Sequence, residues 1–491
     1  MKIDYTINKQ KDKSYSSTAL KLILILTILQ LTITLLTTGF VLSFDEAMWH
    51  YIGRNWFRNH LVPYSGGVDN KSPLIFAIFG LSDRLFGVNY WFPRIIGTVC
   101  SSTGIFYLYK IARYIAGERA GLLTISFYGL SLLWIVTGGR YVSFTETFDV
   151  LFVILAFYVY LTEENNRGLF ISGALAGIAL GFRLSAVFGI ITLSWVAVKK
   201  NPVHVLVFWT GVLFSVLMLI FVCFVVGIKT KGLFINGFLD NFGSGSTTDH
   251  AFTWKLETFV NKFFYSELLS FYPFLAGYIF IKRKLDLYIL WLILELVGLM
   301  VIGTFGALHL KELLPPLSLI SAFFCEHIIA SYNLSSKKML LGVWILFLPK
   351  LIEPFANLKK VLTGKIDNLE IRKTNQFTIP DEATRKRLGI WVKTHTHVKD
   401  KVFIAGFGAQ IQVYSERVSP TIYFNATQTK LAKQTLFNDL NRHKPYMILI
   451  PLFPDYQNLV SADIRNYIDN VISHNYQLQT QLYSYNIYCL R

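Results

Sequence analysis

LILILTILQLTITLLTTGFVLSFDE, residues 22–46, is an apolar run that stops on a pair of carboxylates. Between Lys21 and Asp45 no residue is ionisable, and a helix of that length crosses the roughly 30 Å hydrocarbon core of a bilayer. Asp45 and Glu46 are therefore expected at the membrane–water boundary. The run is too long for the apolar region of a cleaved signal peptide, and no small-residue cleavage site precedes Asp45, so it reads as a first span. A carboxylate held at this boundary can serve as base for a water-soluble nucleophile attacking a group dissolved in the lipid.

The pattern repeats along the chain. Hydrophobic residues make up 53% of it and charged ones only 16%, and the apolar residues fall in long runs, which marks a polytopic α-helical membrane protein. Runs near 20–42, 92–111, 120–138, 145–162, 168–182, 184–198, 203–227, 264–281, 286–303, 312–331 and 339–357 predict about eleven spans. The connectors this places inside hold Lys110, Arg113 and Arg119, then Arg167, Lys199 and Lys200, Lys282 to Lys284, and Lys337 with Lys338. That is the positive-inside rule, so the formal charge of +17 speaks of orientation and not of nucleic acid. The four cysteines form neither a disulfide framework nor a metal-binding spacing.

An odd number of spans puts everything after residue 357 on the outer face. The expected division is a transmembrane catalytic domain over 1–357, with outer loops 43–91 and 228–263, and a small extracytoplasmic α/β domain over 358–491. In the latter, Val402–Gly406 and Tyr446–Pro451 read as buried strands and Asp381–His397, Lys430–Arg442 and Ala462–Val471 as helices. It carries no nucleophile–base pair and no phosphate loop, so support or substrate recognition is its expected role. Phe242–Asp249, rich in glycine and serine, reads as a lid over an outer site or as a plain connector.

Ionisable residues within or at the edge of spans are costly and usually face a polar cavity. Arg183 interrupts the otherwise uncharged stretch Gly168–Lys199; its guanidinium suits a phosphate, and the competing reading is a turn between two short helices. Arg140, Glu146 and Asp149 occupy the next outward turn, where Glu146 can also simply favour the positive end of a helix dipole. His309, Lys311 and Glu312 precede the tenth span, with snorkelling of Lys311 as the alternative. Glu295 lies mid-span, where a bond to a neighbouring helix would account for it. The aromatics of the first loop, Trp49, Tyr51, Trp56, Phe57, Tyr64, Tyr90 and Trp91, suit an interfacial belt. Carboxylates at 45–46 and cations at 71, 94, 140, 183 and 311 all fall on the outer side. A carboxylate base among cations is what displacement of a phosphate by a hydroxyl requires.

At these residues the chain resembles the GT-C glycosyltransferases related to dolichyl-phosphate-mannose protein mannosyltransferases and the bacterial lipid A aminoarabinose transferases. The resemblance runs over most of residues 20–350. It rests on the acidic pair, Val62-Pro63-Tyr64, Asp69-Asn70-Lys71-Ser72-Pro73-Leu74, Phe86-Gly87 and Arg94. Arg140, Glu146-Thr147-Phe148-Asp149, Gly173–Gly177 before a cation, and His309 followed by Leu314–Leu317 extend it. Asn70 stands where the aminoarabinose enzymes have Glu, and Arg183 where Lys is frequent.

The resemblance implies an inverting transfer of one sugar from a polyprenyl-phosphate donor to an acceptor hydroxyl of lipid A, a protein or a surface glycan. Asp45 is the implied base with Glu46 orienting the acceptor. Lys71, Arg94, Arg140, Arg183, His309 and Lys311 are the implied donor-phosphate groups, and Tyr64, Asp69, Glu146 and Asp149 the further cavity residues. No nucleotide cofactor and no protein-held metal are expected, a divalent cation being left open; the implied location is a bacterial inner membrane, multi-pass, with the C-terminal domain periplasmic or extracellular. The alternatives are a flippase of lipid-linked sugars, which should carry polar residues near the midplane, and a polymerase or ligase using a lipid-diphosphate oligosaccharide.

Overall fold

The computed structural model describes residues 16–36, 41–134, 142–163, 165–239, 267–302, 307–352, 382–406, 408–422, 430–452 and 462–491, with short pieces within 253–261 and 356–378 and at 424 and 460. In chain order its helices are α1 (Ser17–Leu36), α2 (Phe44–Asn59), α3 (Pro73–Phe86), α4 (Trp91–Ala116), α5 (Glu118–Ser131), α6 (Thr145–Thr162), α7 (Asn166–Leu180), α8 (Val187–Lys200) and α9 (Pro202–Val225). They continue with α10 (Tyr272–Lys282), α11 (Leu287–Ile302), α12 (Leu314–Tyr332), α13 (Ser336–Phe347), α14 (Glu382–Thr394), α15 (Ala409–Ser415), α16 (Lys430–Arg442) and α17 (Ala462–Asn475). Every apolar run read as a span contains a helix. Among the described residues five are long and apolar enough to cross a membrane: α1, α4, α6, α9 and the stretch Leu308–Tyr332 that ends in α12. The helix in 120–138 ends earlier than expected, at Ser131, and that in 339–357 gives way after Phe347 to a 3₁₀ turn, Leu348–Leu351.

Two compact units divide the chain, Met1–Thr38, Arg94–Phe221 and Thr248–Lys359 forming the first and Gly39–Pro93, Val222–Thr247 and Lys360–Arg491 the second. The first is the apolar helical unit. On α9, Leu206, Leu213, Phe214, Leu217 and Phe221 are all exposed, an outward apolar face that suits lipid on a helix of span length. With no hydrophobic drive between helices in lipid, close packing has to hold them together. Gly173 and Gly177, one turn apart on α7, let α9 approach: a Cβ on Gly173 would stand 1.9 Å from the Phe208 carbonyl oxygen, and one on Gly177 2.7 Å from that of Val212. Gly211 returns the fit, its Cβ position being 2.1 Å from the Phe170 oxygen. In the core, Phe157 stacks on Trp291 with ring centroids 3.8 Å apart, and Trp134 on Phe347 at 5.4 Å.

The second unit holds the first loop and the C-terminal residues. Helices α2 and α3 cross at Gly53 and Gly80, where a Cβ on Gly53 would lie 2.4 Å from the Gly80 nitrogen. Strands β1 (Val402–Ile404), β2 (Met447–Pro451), β3 (Tyr476–Leu482) and β4 (Tyr485–Leu490) make a sheet of order β1-β2-β4-β3. The pair β1–β2 is parallel and the other two pairs antiparallel. Both strands and all three helices expected here are present. The hairpin β3–β4 was not anticipated; it turns on Tyr483 and Ser484, whose φ of 49° and 62° match the twist of a tight two-residue loop. Leu388 and Val392 of α14 and Ile411 of α15 pack on the sheet residues Ile404, Leu449 and Ile487.

The same C-terminal residues grip α2. Tyr51 meets Phe424 with centroids 4.4 Å apart and its hydroxyl accepts the Ser419 N–H at 2.9 Å. Trp49, Tyr51 and Tyr64 are buried, which corrects the belt reading for these three: Tyr51 packs on the C-terminal residues, Trp49 on Phe79, and Tyr64 on Phe76 and beside Gly232 and Gly237.

Candidate functional site

In the first unit, an apolar surrounding collects charges from three elements. Glu146 and Asp149 lie in the first two turns of α6, both with almost no exposure. Arg183 caps the one-turn helix Leu184–Ala186 at the break between α7 and α8. His309, Lys311 and Glu312 come from the 3₁₀ stretch Ala307–Leu313, which Pro315 and Pro316 end by opening α12.

Arg183 makes an ion pair with Glu146 and, through Nε, another with Glu312 Oε1 at 2.9 Å. The Ser185 hydroxyl accepts from the same Nε at 2.7 Å and donates to Glu312 Oε1 at 2.7 Å. Glu146 Oε1 also meets His309 Nδ1 at 2.7 Å, and Lys311 donates to Thr147 Oγ1 at 2.7 Å. Three sequence segments far apart in the chain are thus tied into one network.

These contacts decide between the competing readings. Arg183 does mark a turn between short helices, and it is also buried between two carboxylates, 8% exposed. Lys311, only 1% exposed, does not snorkel. Glu146 begins a helix but is not solvated. Glu295 accepts from Trp291 of its own helix at 2.9 Å, and with Asp149, Glu312, Ala186 and Trp291 it lines a cavity of about 10 Å³, room for about one water. Among the described residues no group of three or more His, Cys, Asp or Glu is arranged to hold a metal ion. Arg94, fully buried at the start of α4, accepts at its carbonyl from Thr98. Arg140 lies outside the described residues, as does the tract Phe242–Asp249.

In the second unit the acidic pair opens α2. Ser43 is the N-cap: its Oγ accepts the Glu46 N–H at 3.4 Å while the Glu46 carboxylate accepts the Ser43 N–H at 2.8 Å. This reciprocal capping box satisfies amide groups that the helix start leaves without partners. Glu46 is fully buried by it, whereas Asp45 is half-buried. Asp69 accepts from Trp49 Nε1 at 2.9 Å and from the Asn70 N–H at 2.8 Å. Tyr64, held at φ 66°, donates to the Lys71 carbonyl at 2.6 Å. It packs under the helical turns Thr230–Gly232 and Leu233–Leu239, where Gly237 leaves space for its hydroxyl. Lys71 is half-buried beside it.

Sequence reasoning passed over one strong polar knot in this unit. Asp83 of α3, fully buried, pairs with Arg58 and lies 3.8 Å from Arg54 and 3.7 Å from His50 Nδ1. Burial drives the His50 pKa down to about 4 against the attraction of Asp83. Arg54 continues to Glu416 at 3.0 Å, and Glu416 to Lys393 at 2.7 Å. Partial burial raises the Glu416 carboxyl, but Lys393 and Arg54 outweigh it and hold the pKa below the ordinary value. The only sequence signal was i, i+4 spacing of two arginines on α2, which a solvated helix shares.

Residues 70–227 match the family model described as dolichyl-phosphate-mannose-protein mannosyltransferase. No curated protein sequence matches the chain. Among solved structures, ArnT from Cupriavidus metallidurans bound to undecaprenyl phosphate is similar with a TM-score of 0.62 at 11% identity, over 96% of this chain and 98% of that one. Its apo state gives 0.61 at 11% identity over 97% and 98%. The Archaeoglobus fulgidus oligosaccharyltransferase, in complex with zinc and sulfate, gives 0.49 at 11% identity over 88% of this chain and 68% of that one. The match over residues 70–227 and the ArnT-like fold bear out the resemblance read from the sequence, and the chain is a multi-pass membrane protein with the GT-C fold.

Proposed function

From a membrane chain with the GT-C fold, we propose a glycosyltransferase that moves one sugar from a polyprenyl phosphate to an acceptor hydroxyl on the outer face of a bacterial inner membrane, with inversion. The observation that carries this is the extent of the mannosyltransferase match. Residues 70–227 include Lys71 and also Arg94, Glu146, Asp149 and Arg183, four buried charged residues of a kind that an apolar environment tolerates only with a purpose. The ArnT of similar fold was solved with a polyprenyl phosphate, which supports a lipid-linked donor.

In the proposed reaction the Asp45 carboxylate takes the proton of the acceptor hydroxyl, the oxygen attacks the anomeric carbon, and the bond from that carbon to the phosphate oxygen breaks. The electron pair leaves with the polyprenyl phosphate. Lys71, Arg94, Arg140, Arg183, His309 and Lys311 are the proposed groups for that anion, and burial lowers the dielectric around Arg94, Arg183 and Lys311. Glu46 keeps α2 in place through the capping box, and Tyr64 and Asp69 shape the loop before Lys71. Asp149 is a proposed cavity residue, and Glu146 orients Arg183 and His309. The sugar arrives already charged onto its lipid, so no nucleotide is required.

Purified wild type and Asp45→Asn, given polyprenyl-phosphate sugars and a membrane extract of the host, test the assignment. Loss of transfer of about 10³-fold or more with donor binding retained is the expected result. Undiminished transfer by Asp45→Asn removes Asp45 from the mechanism.

A further inference from the structure

We propose that Gln410 and Tyr414 of the C-terminal domain are positioning residues for Asp45, so that this domain sets the geometry of the transfer step. The inference rests on the assignment of Asp45 as base. Leu42, the residue before the N-cap of α2, is buried, and α15 takes both of its main-chain polar groups. The Tyr414 hydroxyl accepts the Leu42 N–H at 3.0 Å, and Gln410 Nε2 donates to the Leu42 carbonyl at 3.1 Å.

Asp45 stands three residues after this clamp and within the capping box that follows it. A clamp from two side chains on the two peptide units that flank one Cα fixes the direction in which the chain enters α2, and hence where the first-turn carboxylate points. Further along α2, Tyr51 with Ser419 and Arg54 with Glu416 stop the helix from rotating about that point. Apolar contact such as Tyr51 on Phe424 would suffice to dock the domain; hydrogen bonds to the main chain beside the cap are what precise placement needs. A general base must come within hydrogen-bond reach of the proton it removes, and about 1 Å of misplacement costs on the order of 10²-fold.

Gln410 is 1% exposed and Tyr414 8%, so isosteric changes are the right probes. Tyr414→Phe keeps the ring in its place beside Gly389, whose Cβ position is 2.7 Å from the Tyr414 Cβ, and removes only the hydroxyl. Gln410→Met keeps the volume and carries the test if Tyr414→Phe does not fold. The measurement is steady-state transfer from a polyprenyl-phosphate sugar to host acceptor, for each change in the wild-type and in the Asp45→Asn background, with melting temperature recorded. The expected result is a kcat at least tenfold lower with KM for the donor within about twofold, and no further loss when the same change is made in Asp45→Asn. An unchanged kcat overturns the proposal while leaving Asp45 as base. An equal further loss in the Asp45→Asn background, or a fall in rate that follows only the fraction folded, also overturns it. Full transfer by Asp45→Asn alone overturns both.

Discussion

The charge cluster around Arg183 and the knot around Asp83 are built alike and were unequally visible. Each buries ionisable side chains against opposite charge, the first a cation between two carboxylates and the second a carboxylate among basic groups. In the first unit, Arg183 breaks a long uncharged stretch, and the energetic cost of an ion in an apolar helix makes every such residue conspicuous. In the second, Arg54, Arg58, His50 and Asp83 sit among many charges of a polar segment, where position in sequence says nothing about burial. The comparison teaches that ionisable residues are informative in proportion to the apolarity of their surroundings.

The two clusters can be pulled apart by substitution. Arg183→Ala leaves Glu146 and Glu312 buried without their shared cation. We expect a stability loss of about 3–5 kcal/mol in detergent melts and transfer below detection, whereas Arg183→Lys keeps the charge but loses the fork. Retained donor binding in Arg183→Ala would separate this cluster from the phosphate.

Asp83→Ala should cost about 3 kcal/mol for the same physical reason, yet leave the donor KM of the folded fraction unchanged. A donor KM raised as much as in Arg183→Lys would erase the distinction between a functional and a structural cluster. His50 makes the structural knot sensitive to acid. Its folded pKa of about 4 lies below the ordinary 6.5, so the unfolded chain binds the extra proton and stability is lost as pH falls from about 6.5 through about 4. The shift corresponds to about 3 kcal/mol; melts at pH 7 and pH 4 should converge in part for His50→Gln relative to wild type.

Gly173→Ala should cost about 1–3 kcal/mol by forcing α9 away from α7, seen as a lower melting temperature with donor KM unchanged. Glu416→Gln weakens its pairs with Arg54 and Lys393, and because Glu416 is partly exposed the expected loss is under about 1 kcal/mol. A larger loss would show that the C-terminal contact with α2 depends on this one pair.

Helix content was legible because apolar runs of span length have few other uses, and the runs near 145–162 and 203–227 match α6 and α9 within two residues. Helix ends were less so where a 3₁₀ turn takes over, as after Phe347. Arg183, Glu146 and His309 were read as charges of one outer side; that they share ion pairs depends on α6, the α7–α8 break and the segment before α12 meeting in space, which no local pattern encodes. Likewise the clamp on Leu42 joins residues some 370 positions apart, and the packing of Tyr51 on Phe424 belongs to the same docking. The hairpin β3–β4 escaped because its turn residues, Tyr483 and Ser484, are not the Asn-Gly or Gly-rich pairs that announce such a loop.

The central claim is that the donor is a lipid phosphate. Purified wild type in lipid should be given, in parallel, radiolabelled polyprenyl-phosphate monosaccharides and the corresponding nucleotide sugars, each with host membrane acceptor. The account predicts transfer from a polyprenyl-phosphate sugar, with inversion at the anomeric carbon, and none from the nucleotide sugars; transfer from a nucleotide sugar, or retention of configuration, would contradict it.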